Sequence, residues 1–79
     1  MRADDLLFWL KAQPFRPFSI KMASGAHYDI SHPEFVRVMR TSLIVFEPTQ
    51  EQRDVFDRAE MLNLGLIEKI EPIESAMKA

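Results

Sequence analysis

Between Phe18 and Ser31 apolar and polar residues alternate around a short break, and no other feature limits the fold as strongly. Phe18, Ile20 and Met22 alternate with Ser19, Lys21 and Ala23, and Tyr28 and Ile30 alternate with His27, Asp29 and Ser31. Side chains on an extended chain point to opposite faces in turn, so each run predicts a strand with one buried side. Ser24-Gly25 lies between them, and glycine reaches the positive φ that a tight hairpin turn requires. The prolines that bracket the hairpin prescribe the bends. Pro14 and Pro17 disfavour helical geometry at Gln13 and Arg16, forcing an extended approach to Phe18. Pro33 has no N–H for a central ladder, so the second strand must kink at His32-Pro33-Glu34.

Upstream, Ala3, Leu6, Leu7 and Leu10 have the i, i+3, i+4, i+7 spacing of one helical face, with Asp4 or Asp5 suited to capping. A helix is expected over 4–12. Phe8 and Trp9 project from other sides, either under the following loop or as a candidate interface. Downstream, Phe35–Met39 resumes an extended segment. Leu43–Phe46 is apolar on both faces, as in a central strand covered on both sides. A charged loop at 48–54, a strand at Phe56–Leu62, a turn at Asn63-Leu64-Gly65 and a strand at Ile67–Glu71 follow. Helical spacing of Val55, Ala59 and Leu62 competes for part of this region. Met22, Met39 and Met61 read as gap-filling core residues. The expected architecture is α+β: one domain, 1–79, with a helix before a strongly bent five-stranded antiparallel sheet or small barrel spanning 18–72. Residues 74–79 are expected to fray.

The runs "QPFRPFSIKMASGAHYDISHPEFVRV", "SLIVFEP" and "LIEKIEPIE" resemble a group of short uncharacterised bacterial proteins. Those proteins share a Pro-Phe-x-Pro-Phe opening, a glycine turn, a His-Pro-Glu kink and a terminal Ile-Glu-Pro strand. The resemblance implies no activity, but it favours a strand over 56–62. The order of elements also resembles the Sm-like or SH3-like small barrels. Sm-like proteins assemble into rings and bind RNA, yet their RNA-binding motifs are not visible here, and fold does not imply function.

Chemistry is sparsely signalled. His27, Asp29, His32 and Glu34 are the nearest approach to a metal or acid–base cluster. Structural zinc wants four converging ligands, and catalytic zinc three plus water, so polar groups on a strand and at a kink are the simpler reading. No serine or threonine lies in a nucleophile elbow, and two glycines make no phosphate loop. The chain is therefore read as no enzyme, with no metal and no cofactor. Cysteine is absent, which excludes disulfide staples. No apolar run is long enough for a membrane helix, and the acidic start does not suit a secretory signal, so a cytoplasmic location is expected.

Two functions compete. A chain of 79 residues buries only roughly 60–65% of its unfolded surface, and small unstapled cores recover stability by association. With the apolar surplus around Phe8 and Trp9, this favours a homo-oligomerising interaction module. The alternative is an Sm-like nucleic-acid binder using Lys21, Tyr28, Arg37 and Arg40. Residues 1–46 do carry a net +2, but 47–79 carry −4, and the isoelectric point is about 5.6, low for a polyanion binder.

Overall fold

The computed structural model describes residues 1–73, so the expected frayed tail lies outside the described residues. Helix α1 spans Ala3–Leu10, ending two residues earlier than the spacing predicts. Arg2 takes the N-cap, and its backbone N–H donates to Asp5 Oδ2 at 3.2 Å. Leu6 is fully buried, and Ala3, Trp9 and Leu10 pack beside it against the core. Trp9 is thus half-buried against the core, with its ring 5.5 Å from that of Phe18, whereas Phe8 is 77% exposed.

Six strands follow, in two three-stranded antiparallel sheets. Strands β1 (Phe18–Met22), β2 (His27–Ile30) and β6 (Ile67–Pro72) make one sheet in the order β2-β1-β6. Strands β3 (Val36–Val38), β4 (Ser42–Pro48) and β5 (Phe56–Asn63) make the other in the order β3-β4-β5. The expected single five-stranded sheet, or closed barrel, is not what forms. At Pro33 the chain winds into a short 3-10 turn, Pro33–Phe35, in which Phe35 donates its N–H to the His32 carbonyl. That turn divides the expected kinked strand into β2 and β3 and assigns each half to a different sheet. A second 3-10 turn, Leu64–Leu66, separates β5 from β6, with Asn63 Oδ1 accepting from the Gly65 N–H at 2.7 Å.

The inner faces meet in one core. Phe18, Ile20, Met22 and Ile30 come from the first sheet, and Val36, Leu43, Val45 and Leu62 from the second. The alternation expected of β1 and β2 is borne out, since Ile20 and Ile30 are both buried. The strand expected over Phe56–Leu62 also forms. The central strand β4 departs from expectation: Leu43 and Val45 are covered, but Ile44 and Phe46 on the other side remain half-exposed, because α1 buries Leu6 in the core beside the inner faces and leaves the outer face of this sheet open. Of the three methionines expected inside, only Met22 is buried. Met61 is 66% and Met39 48% exposed.

Met22 and Ala26 close the β1–β2 hairpin, with the Met22 N–H donating to the Ala26 carbonyl at 2.8 Å and the Gly25 N–H to the Met22 carbonyl at 3.0 Å. Gly25 has φ +98°, and a Cβ there would meet no atom within 4 Å. The cost of Gly25→Ala is therefore backbone strain alone, about 1–2 kcal/mol. Phe18→Ala, which empties the core centre, costs about 3–5 kcal/mol. Urea denaturation of the two variants checks both values; an unchanged midpoint for Gly25→Ala would contradict the left-handed turn.

Candidate functional site

Period-2 geometry carries Tyr28 inward with Ile30, since it pairs with buried Ile20. On the facing sheet the inward row of β5 is Arg58, Glu60 and Leu62, opposite Glu47, Val45 and Leu43 of β4. Apolar pairs fill the middle of the space between the sheets, and polar pairs occupy its mouth. There Tyr28 Oη donates to Glu60 Oε2 at 2.8 Å, joining β2 to β5 across the gap. Arg58 completes the cluster, 2.6 Å from Glu60 and 3.6 Å from Glu47.

These contacts set the charges. The hydrogen bond from Tyr28, then that from Arg58, holds the Glu60 carboxyl below its ordinary range. The same bond with Glu60, followed by burial, raises the Tyr28 phenol. The Arg58 guanidinium is raised, chiefly by its hydrogen bond to Glu60. On the outer face of the first sheet, Lys69 and then Lys21 lower the Glu71 carboxyl.

Beside this cluster a cleft of about 670 Å³ lies between β2 and the far end of β4, bounded by the 49–53 loop. Tyr28, Phe35 and Phe46 supply aromatic surface, Asp29 and Glu47 acidic groups, and His32 and Arg53 a basic corner. Arg53 meets the His32 ring through Nη2 and lies over the Phe35 ring, 5.7 Å from its centroid. Volume and lining fall in the range of small-ligand and peptide sites.

The residues singled out in sequence are dispersed. Lys21 faces outward on the first sheet and pairs with Glu71 at 3.5 Å. Tyr28 points the opposite way, into the mouth. Arg37 lies on the outer face of the second sheet, its Nη1 donating to the Glu34 and Val36 carbonyls. Arg40 occupies the β3–β4 turn, beside Thr41, Asn63 and Leu64. His27 and Asp29 share the exposed side of β2, while His32 turns toward Arg53. Among the described residues no three histidine, aspartate or glutamate side chains gather as a metal-ligand set. No helix of the described residues is long and apolar enough to cross a membrane.

Glu47, Arg58 and Glu60 were not singled out. Their signal was present in parity: a tyrosine in phase with buried isoleucines needs an acceptor, and Glu60 is in phase with buried Leu62. Compared with protein-family models, curated proteins and solved structures, the chain matches none.

The linkage between charge and stability is testable. Glu60 and Glu71 have depressed values when folded, so their contribution is present above the ordinary carboxylate pKa of about 4.3 and is lost as pH falls through the folded value. Tyr28 is raised, so its contribution is present below about 10 and is lost as pH rises through the folded value. In thermal melts across pH, Glu60→Gln should flatten the acid limb, and Tyr28→Phe should flatten both limbs. An acid limb of unchanged slope in Glu60→Gln would remove the Tyr28–Glu60 bond from the account.

Proposed function

We propose that the chain is a non-catalytic interaction module that self-associates through β5. The supporting observation is the character of this strand: eight residues long, at the edge of its sheet, and exposed over most of its length. A long open edge is a template for pairing with another chain. Proteins usually blunt such edges with outward charge, but here Arg58 and Glu60 lie at the mouth on the opposite face, bonded to each other, leaving Ala59 and Met61 on the outer face beside Phe46 and Ile44.

The alternation of hydrogen-bonded pairs identifies which groups are open. Leu64 donates its N–H to the Thr41 carbonyl, so Leu62, Glu60 and Arg58 face β4, and the backbone groups of Ala59 and Met61 face away. An antiparallel pair of β5 strands centred on Ala59 sets Arg58 opposite Glu60 of the second copy, with opposite charges in register. It also carries the outer apolar row from one sheet into the next.

Multi-angle light scattering tests the reading. The parent should exceed the 9.2 kDa chain mass at micromolar concentration. Ala59→Pro, which removes an open-edge N–H, and Met61→Lys should both give the chain mass with the fold retained by circular dichroism. A parent that stays at chain mass throughout overturns the proposal, as do variants that associate as the parent does.

A further inference from the structure

We infer that the cleft between β2 and β4 receives an extended peptide as an added strand, with an acidic residue at the Arg53 end. β2 is an edge strand, and the hairpin fixes the direction of its backbone groups. Because Met22 donates to the Ala26 carbonyl, the hydrogen-bonded pairs continue as Ile20 with Tyr28 and Phe18 with Ile30. The N–H and C=O groups of His27 and Asp29 consequently point away from β1, toward the cleft that both residues line. The opposite wall offers an acceptor. Met39 donates to the Ser42 carbonyl, so alternate residues of β4, Ile44 and Phe46, direct their backbone toward β3. The register would set the Phe35 N–H against the Phe46 carbonyl, but Phe35 gives that N–H to His32. The kink at Pro33 therefore leaves both walls of the cleft with backbone groups that an extended chain can meet.

Side chains add direction. An added strand puts alternate residues toward the inner-side surface of Tyr28 and Val45, which suits apolar side chains. Charge differs between the ends. The Arg53 guanidinium stands where β2 finishes, against the His32 ring, while near Tyr28 the carboxylates of Glu47 and Glu60 outnumber the one guanidinium of Arg58. An acidic residue is complementary to the first end and repelled by the second. This surface is separate from the open edge of β5, so peptide binding by a monomer would spare this inference while overturning self-association.

The experiment is selection of a displayed library of random ten-residue peptides on the full chain, followed by titration of an enriched synthetic peptide into the ¹⁵N-labelled protein. Enriched sequences should alternate apolar residues and carry an acidic residue at one end. Amide shifts should concentrate at His27, Asp29 and Phe46. N-methylation of alternate peptide residues should weaken binding about tenfold or more, since backbone pairing is lost while side chains stay. Asp29→Pro, which removes an open-edge N–H, and Arg53→Glu should weaken it similarly with the fold retained. No enrichment, enrichment without alternation, shifts centred on β5, or indifference to N-methylation would each overturn the inference; the N-methylated peptide decides the matter if Asp29→Pro does not fold.

Discussion

Pro33 carries no amide hydrogen, and a ladder that meets it must end or bend. In this chain it bends through a single 3-10 turn, and the segment that entered as β2 of one sheet leaves as β3 of the other. The two inner faces are thereby brought together over Phe18, Ile20, Leu43 and Val45, and one small core serves both sheets. The same turn diverts the Phe35 amide to His32, so the corner that joins the sheets is also where their pairing is interrupted. The shared core, the cleft and the open edge of β2 all follow from that one turn.

The mouth of the sandwich shows how a thin core is finished. Toward the helix, facing positions are leucine and isoleucine; toward the opposite end they become Val45, then Glu47, with Glu60 and Arg58 across from them. A carboxylate so placed costs less when it accepts from a phenol and a guanidinium together, and no side-chain nitrogen or oxygen among the described residues is buried without a partner. The tyrosine and glutamate come from strands of different sheets, so the bond fixes the spacing of the sheets as well as satisfying both groups.

Much of this was legible in the residues. The β1–β2 hairpin, the turn at Gly25, the kink at Pro33 and the strand at Phe56 follow from alternation, positive φ and a missing N–H, which are local properties. What was hidden depends on contacts between distant segments. Whether Trp9 or Phe8 faces the core depends on how the helix docks, and an all-round apolar helix does not declare it. Whether Ile44 and Phe46 are covered depends on what lies over the second sheet, which the apolar run of β4 cannot reveal. Four candidate polyanion contacts looked like a group because they are near in sequence, yet strand parity and the two-sheet division send Lys21, Tyr28, Arg37 and Arg40 to separate surfaces. The polar cluster at the mouth went unread because Glu47, Arg58 and Glu60 lie 19 to 32 positions from Tyr28 along the chain.

Between Glu47 and Pro48 the β4–β5 register slips by one, and Asp57 is the residue left over. Parity would otherwise aim Phe56 at the interior, beside Glu47 and the ion cluster. The slip turns it outward to pair with Pro48, where its ring lies 5.0 Å from that of Phe46 and 5.7 Å from that of Phe35. A single supernumerary residue thus decides on which side of the molecule three benzene rings congregate. Drawing Asp57 into regular pairing is what would carry Phe56 inward, beside charge; deleting Asp57 would instead make Phe56 the direct neighbour of Arg58, on the opposite face, and keep the rings outside with no slip in the ladder.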